Sequence, residues 1–318
     1  MTIRHTIMQR NYDSVFEPAA PGRAAKLTIR LKVTLIPLDP SANWTAPNST
    51  IPGTPQGPLP PAHLARGAAD TRHGLVWDFL NNRQFPCKSW LTADWNAFKI
   101  RFKRAVEQGW NNQIILLPME SGLPDDALND QDFRQLVGNP KVAAHVEGAL
   151  DIALMPDNTA GHAVIEVACL EQPGAKFRVW MNRITNDSVQ FAHHASPFKD
   201  FPEAKTGQIT VVHEVGHWLR DMGKTLFSHI DANTPPAKPN PQRANLTQAK
   251  LQYGKTVGNR AALMGAGSEA TAHEAAPWLM RIRRQTSLKT GWTMMHRIRF
   301  SNIQYEISDR QKRLFGDG

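Results

Sequence analysis

Two histidines and a glutamate at residues 213, 214 and 217 have the clearest chemical meaning in this sequence. The segment reads His213-Glu214-Val215-Gly216-His217, which matches the pattern H-E-x-x-H. Positions four apart share one face of an α-helix, so His213 and His217 can present both imidazoles to one zinc ion. Zinc lowers the pKa of a bound water to about 7, and the Glu214 carboxylate can take its proton as the water attacks a carbonyl carbon.

A chance match to this pattern is improbable in a chain of this composition. The chain has 12 histidines among 318 residues, and a random order of these residues would contain H-E-x-x-H with a probability of about 3%. We expect the helix to have its N-cap at Thr206 and its C-cap at Gly223. Its apolar residues could bury most of its surface, and they are Ile209, Val211, Val212, Val215, Trp218, Leu219 and Met222.

A catalytic zinc usually takes a third protein ligand, and the sequence offers four candidates. We favour His229, which lies twelve residues after His217, beyond a glycine turn that lets the chain fold back. Asp221 could serve instead because it is four residues after His217 on the same helix face. Glu269 and Glu274 follow a second glycine-rich turn, and either could supply a carboxylate ligand.

Other polar side chains have weaker claims to a part in this chemistry. Tyr253 or His273 could donate a hydrogen bond to the oxyanion that develops on an attacked carbonyl. The adjacent His193 and His194 do not face one way on any regular element, so we do not expect them to share a metal. We predict a solvated loop for them, over 187–198.

The pattern of apolar residues predicts a strand-rich unit before the metal-binding helix. In 26–38, apolar residues alternate with polar and basic ones, which indicates a half-buried strand. An amphipathic helix is predicted over 93–108. Further strands are predicted over 113–118, 142–154, 162–170 and 177–184, and proline-rich loops over 37–61 and 232–247.

Composition narrows the classes of protein to which the chain can belong. The net charge is +9, but no long run of Lys or Arg appears, so we do not expect a nucleic-acid partner. Cys87 and Cys169 are too few for a disulfide framework, and we expect two buried thiols. We expect no transmembrane segment and no cleaved leader, hence a soluble protein that is cytoplasmic or exported without a signal peptide.

The segment HEVGHWL followed by ALMGAGS at 262–268 resembles the zincin metallopeptidases, most closely their metzincin branch. The resemblance covers about 208–278 and implies that Met264 is the methionine of a turn beneath the metal, a Met-turn. The metzincin pattern continues H-x-x-G-x-x-H, whereas this chain has Arg220 and Gly223 where the glycine and the third histidine would stand. In a zincin, a twisted sheet lies above the cleft and its edge strand pairs with an extended substrate.

These observations predict an α+β fold: a zincin-like catalytic domain over 91–318 with a twisted mixed sheet and an active-site helix. Residues 1–90 form an N-terminal strand and proline-rich region, either an extension or part of the same domain. The predicted activity is zinc-dependent hydrolysis of peptide bonds in a protein or peptide substrate by an endopeptidase. One hypothesis makes it a leaderless bacterial effector or toxin. Two competing hypotheses are a zinc amidase acting on cell-wall peptides and a non-catalytic zinc-containing binding module, and the oligomeric state is left open.

Overall fold

The structure is a computed structural model that describes part of the chain, and the fold and the candidate site are those of that part. The described residues are 5–7, 11–20, 23–38, 40, 65–66, 72–78, 83–118, 145–156, 159, 161–172, 179, 182–194, 206–219, 261–265, 267–285 and 292–297.

Most strands belong to one mixed sheet of 11 strands. They are β1 (His5–Ile7), β2 (Asp13–Glu17), β3 (Ala25–Pro37), β4 (Ala65–Arg66), β5 (Arg72–Asp78), β6 (Arg83–Lys88), β7 (Ile114–Pro118), β8 (Val146–Leu154), β9 (Ala163–Leu170), β10 (Arg183–Thr185) and β13 (Trp292–His296). A separate two-stranded antiparallel sheet joins β11 (Phe191–His194) and β12 (Thr206–Ile209). The helices are α1 (Thr92–Trp110), α2 (Thr210–Gly216) and α3 (Ala276–Gln285).

The long strand β3 is the centre of the large sheet, whose main path runs β13-β7-β8-β3-β9-β6-β5-β4. One edge of β3 pairs with parallel β8 over 25–33. The other edge pairs first with antiparallel β2 over 26–30 and then with parallel β9 over 33–37. The alternating burial along β3 follows its alternating apolar residues, because successive side chains point to opposite faces.

His162 bridges the gap on β3 between the end of the β2 ladder and the start of the β9 ladder. Its main-chain N–H donates to the Lys32 carbonyl oxygen (2.8 Å), and its Nδ1 accepts from the Lys32 N–H (3.0 Å). Both backbone groups of Lys32 are therefore satisfied between the two ladders. The hydrogen bonding on this edge of β3 thus continues across the junction.

The three helices meet on the sheet around two tryptophans. Helix α1 buries one stripe of residues at helical spacing, namely Trp95, Phe98, Phe102, Ala105, Val106 and Trp110. The rings of Trp110 and Trp278 stack with their centroids 5.8 Å apart, which joins α1 to α3. The indole of Trp278 donates to the Ala149 carbonyl oxygen of β8 (3.0 Å), so its one polar atom is satisfied inside the core.

The α+β class with a curled mixed sheet is confirmed, as are the predicted strands that became β3, β7 and β9 and the helix that became α1. Of the strand predicted over 142–154, the described part forms β8. The strand predicted over 177–184 is wrong at Val179, which lies in no strand, and only β10 remains. Strands from residues 1–90 and from the later chain pair within one sheet.

The prediction of a loop at His193 and His194 is wrong, because both residues lie in β11. Their strand pairs with β12, in which Thr206 stands opposite His194. Thr206 is therefore a strand residue, and its predicted role as N-cap of the metal-binding helix is also wrong. That helix begins at Thr210 and ends at Gly216, well before the predicted C-cap, which lies outside the described residues.

Both cysteines are buried thiols, as predicted, and no disulfide joins them. In the β6–β9 ladder, Cys87 is opposite Leu170 and Lys88 is opposite Cys169. Because alternate side chains point to opposite faces, the two thiols lie on different sides of the sheet. Burial raises the pKa of Cys169 to about 11. No helix in the part of the chain described here has the length and hydropathy that a membrane span requires.

A charged cluster fastens α1 to β8 and β3. Asp151 accepts from Arg30 Nε (2.6 Å) and Lys103 Nζ (3.3 Å), and Lys103 also donates to Glu107 Oε1 (2.6 Å). Burial alone would raise the pKa of Asp151, but the hydrogen bond from Arg30 and the charge of Lys103 outweigh it, so the pKa is lowered. Burial alone would lower the pKa of Lys103, but Glu107 and Asp151 raise it.

We predict that Asp151→Asn makes the free energy of unfolding fall less steeply as the pH is lowered. Because the pKa of Asp151 is lower in the folded chain, its contribution is present above about pH 4 and is lost as the pH falls through the folded pKa. Denaturant unfolding from about pH 7 to about pH 3 should show a smaller loss for the variant than for wild type. Glu269→Gln, at an exposed position, is the control and should keep the wild-type slope. Equal slopes in all three proteins would contradict the prediction.

We predict that neither native cysteine reacts readily with an aromatic disulfide reagent at about pH 8, because the thiolate is the reactive form and both thiols are buried. Denaturation should expose two reactive thiols per chain. Ala97→Cys, at an exposed position of α1, is the matched control and should add one fast-reacting thiol. Fast labelling of the wild-type chain would contradict the prediction.

Candidate metal centre

The two motif histidines are carried by α2, a helix of only seven residues that cannot be stable alone. Its N-cap is Ile209, whose side chain makes no capping hydrogen bond. The surrounding structure supplies the missing support. The Val211 N–H donates to the Ser188 carbonyl oxygen (3.1 Å), and the Trp110 indole donates to the Val212 carbonyl oxygen (3.1 Å). The position of the motif therefore depends on the turn before β11 and on the end of α1.

The structure brings His213 and His217 together. Their ring centroids are 5.0 Å apart and the rings are nearly perpendicular, at 86°. His217 is the C-cap residue of α2, and its φ of −60° and ψ of −23° still have helical values. The spacing of four residues therefore places both imidazoles on one face, as it would inside a longer helix.

A hydrogen bond fixes the tautomer of His213. Its Nδ1 lies 2.8 Å from the carbonyl oxygen of Leu263. A carbonyl oxygen can only accept, so Nδ1 carries the proton and donates it. In the neutral ring, Nε2 then carries the lone pair that a metal can bind. Metal-binding histidines commonly make this second hydrogen bond, which orients the ring.

Met264 lies directly against the same helix turn. A Cβ added to Gly216 would overlap the Met264 Sδ and would approach Trp110 Cζ2 to 3.0 Å. Gly216 lies between the two histidines in sequence, and Met264 is fully buried. Met264 therefore packs on α2 at the turn that carries His213 and His217, and only a glycine permits this distance.

The loop that contains Met264 is closed on itself. Leu263 N–H donates to the Glu269 carbonyl oxygen (2.8 Å), and Glu269 N–H donates to the Ala261 carbonyl oxygen (2.8 Å). Gly267 lies so close to the Ala261 backbone that any side chain there would overlap it. These contacts define a compact loop made of residues 261–265 and 267–269, which we call the methionine loop.

Two side chains from outside the turn hold the methionine loop in place. Glu274 Oε1 accepts from the Met264 N–H (2.9 Å), and Gln113 Nε2 donates to the Ser268 carbonyl oxygen (3.1 Å). Gln113 Oε1 also accepts from the Ala270 N–H (2.7 Å). Gln113 thus pairs with the end of the loop as a neighbouring strand would, and it ties the loop to the start of β7.

The structure describes some of the residues predicted for proton transfer, for the oxyanion and for the third ligand, and not others. Glu214 lies beside His213 on α2 and is only 9% exposed. His229, Asp221 and Tyr253 lie outside the described residues. His273 lies, half-buried, in the turn before α3, where its N–H donates to Thr271 Oγ1 (3.3 Å).

The structure gives Glu269 and Glu274 different surroundings, and the identity of the third ligand stays a prediction. Within the residues it describes, no third His, Cys, Asp or Glu joins the two histidines in a group that could hold a metal. Glu269 has an exposed side chain. Both carboxylate oxygens of Glu274 already accept hydrogen bonds, Oε1 from Met264 and Oε2 from Thr271. The role of Glu274 here is to hold the chain on which the histidines depend.

The donor set fits zinc as far as the described residues extend. Zinc accepts neutral imidazole nitrogens, and His213 has its proton fixed on the nitrogen that a metal would not use. The pair supplies two of the three protein ligands that a catalytic zinc usually takes. A buried carboxylate, Glu214, lies next to the pair in the chain.

Comparison of the chain with models of known families, with curated proteins and with solved structures gives no match.

Sequence reasoning missed the contacts by which Trp110 and Gln113 support the candidate site, and it considered Glu274 only as a metal ligand. Trp110 and Gln113 lie about 100 residues or more before their partners, and no local pattern links them. For Glu274 a local signal existed. Thr271 and Glu274 have the spacing of a capping box, in which the glutamate bonds the N–H of the threonine, as it does here (2.8 Å).

We predict that Gly216→Ala lowers the free energy of unfolding by about 1–3 kcal/mol, because the new methyl group displaces Met264. Met264→Ala should cost about 2–5 kcal/mol through the cavity it leaves. In the double variant the methyl group occupies part of that cavity, so the loss should be smaller than the sum of the two. Denaturant unfolding of the three variants provides the measurement, and strictly additive losses would contradict the packing described here.

Proposed function

We propose that the protein is a zinc-dependent endopeptidase whose metal centre is built on α2. The observation that carries the proposal is the hydrogen bond from His213 Nδ1 to the Leu263 carbonyl oxygen. It leaves Nε2 as the metal-binding nitrogen on a ring 5.0 Å from that of His217. An incidental pair of histidines on a helix surface has no need of a buried partner that selects one tautomer.

In this proposal His213 and His217 hold the zinc, and His229 is the third ligand. The resemblance to the zincins and the need for three protein ligands support this assignment. The zincin-like organisation belongs to the same proposal. Helix α1 and strands β7 to β9 precede α2, and the methionine loop and α3 follow it. In that organisation an extended substrate would pair with the edge strand above the cleft.

When bound, the zinc would lower the pKa of a coordinated water to about 7 and polarise the carbonyl under attack. The chain's own residues supply the remaining functions. Glu214 takes the proton of the attacking water, holds it on its carboxylate and delivers it to the leaving amine. Because Glu214 is mostly removed from solvent, its charge is poorly screened, which strengthens its interaction with the proton it moves.

Met264 has a mechanical function in this proposal. It fills the space beneath the helix turn between the two histidines, and its thioether conforms to a surface that includes Trp110. A firm base of this kind fixes the separation of the two rings. Catalytic groups must be held to within about 0.5 Å of their working positions, so this packing is part of the function.

We predict that Glu214→Gln retains about one zinc per chain but lowers kcat for hydrolysis of an unfolded protein by about 10²–10⁴-fold. His213→Ala and His217→Ala should lose the metal as well as the activity. Glu171→Gln is the matched control, since it neutralises an exposed glutamate just after β9 that is not a candidate ligand, and it should leave both properties unchanged. Elemental analysis and peptide release should be measured on the same samples.

The same experiment tests the third ligand and the competing functions. Loss of zinc from His229→Ala would support that residue as a ligand, and full retention would exclude it. Wild-type protein that binds zinc but cleaves neither unfolded protein nor cell-wall peptides would be a non-catalytic module. Cleavage of cell-wall peptides alone would identify the zinc amidase. Wild-type protein that cannot be loaded with zinc would overturn the proposal altogether.

A further inference from the structure

We propose that Glu274 is a positioning residue that sets the strength and direction of the His213 ligand through the peptide group between Leu263 and Met264. The proposal rests on the proposed function, because this peptide group can affect metal binding only if His213 is a zinc ligand. It assigns to Glu274 a role different from the direct ligation that its residue type suggests.

Both hydrogen bonds involve one and the same peptide unit. The Leu263 carbonyl oxygen accepts from His213 Nδ1 (2.8 Å). The N–H of that peptide belongs to Met264, and it donates to Glu274 Oε1 (2.9 Å). A continuous chain therefore runs from the carboxylate through the amide to the imidazole.

Each hydrogen bond in this chain polarises the next one in the same direction. When the Glu274 carboxylate accepts a hydrogen bond from the Met264 N–H, it polarises the peptide group. This polarisation increases the negative charge on the Leu263 carbonyl oxygen. That oxygen then accepts more strongly from His213, and the ring nitrogen on the metal side becomes a better electron donor. Linked hydrogen bonds strengthen one another in this way, by about 10–30% per bond. A carboxylate in direct contact with a metal-binding histidine has the same effect, and here a peptide group lies between the two.

The second carboxylate oxygen explains why Glu274 keeps its orientation. Oε2 accepts from the Thr271 N–H (2.8 Å) and from the Thr271 hydroxyl. With Oε2 held in this way, Oε1 is directed to Met264. The side chain is 0% exposed, so water does not compete for either oxygen. The capping contact with Thr271 is thus distinct from the contact that reaches His213.

This separation makes the proposal testable with two matched variants. Glu274→Gln has nearly the same shape, but it is neutral and offers one acceptor oxygen in place of two. Thr271→Val removes the hydroxyl, which donates to Glu274 Oε2 and accepts from the His273 N–H, and it leaves the bond from Met264 to Oε1 in place. Competition with a chromophoric chelator should show zinc affinity about tenfold weaker in Glu274→Gln and unchanged in Thr271→Val. Denaturant unfolding of both variants separates this effect from a general loss of stability.

A second readout does not require zinc. In the metal-free full chain, the Nδ1–H proton of His213 can be followed by nuclear magnetic resonance. Its exchange with water should be faster in Glu274→Gln than in wild type, and unchanged in Thr271→Val. If Glu274→Gln does not fold, wild type provides the test, because zinc at His213 should move the amide proton resonance of Met264 downfield.

The outcomes distinguish this proposal from the proposed function. If wild type binds zinc while Glu274→Gln has wild-type affinity and wild-type exchange at His213, the positioning role is wrong and the proposed function stands. Equal weakening by Glu274→Gln and Thr271→Val would also overturn it, since capping of the loop would then account for the effect. If wild type does not bind zinc, the proposed function is wrong, and the exchange of the His213 proton still decides whether Glu274 acts on that ring.

Discussion

The candidate site depends on the close packing of α2, a short helix without a side-chain N-cap, at two glycines: Gly109 of α1 and its own Gly216. Helix α2 is too short to be stable alone, and it is fixed between α1 and the methionine loop. At Gly109 a Cβ would come within 2.6 Å of Val212, and at Gly216 it would overlap Met264. Both glycines weaken helix propensity, and both are needed because a partner side chain lies directly against the backbone at each position.

This packing places one peptide group between α2 and the rest of the fold. The carbonyl of Leu263 faces His213, and the N–H that follows faces Glu274. The methionine loop is in turn paired with Gln113 at the start of β7, which connects it to the large sheet. The position of one imidazole is thus determined by contacts that extend from α2 to the sheet, and not by the helix alone.

Elements with a strong internal period could be predicted from the sequence, whereas those defined by distant partners could not. Strand β3 alternates apolar and polar residues along its length, and α1 repeats its aromatic residues at helical spacing. The predicted start of α2 is wrong because Thr206, whose residue type favours an N-cap, instead pairs through its backbone with β11. The types and spacing of His213 and His217 predicted their pairing, but no local pattern could show that Glu274 also bonds the backbone amide of Met264.

The buried polar groups of this region also couple the site to folding. His213, Glu214 and Glu274 are all nearly inaccessible to solvent, and removing such groups from water is unfavourable unless each finds a partner. His213 and Glu274 both bond the Leu263–Met264 peptide group, so a disturbance there removes a hydrogen bond from each of two buried groups. A metal bound only by the folded chain would stabilise this same arrangement in proportion to the logarithm of its concentration. In the proposed function, zinc binding therefore stabilises the same region whose polar groups are unfavourable to remove from water.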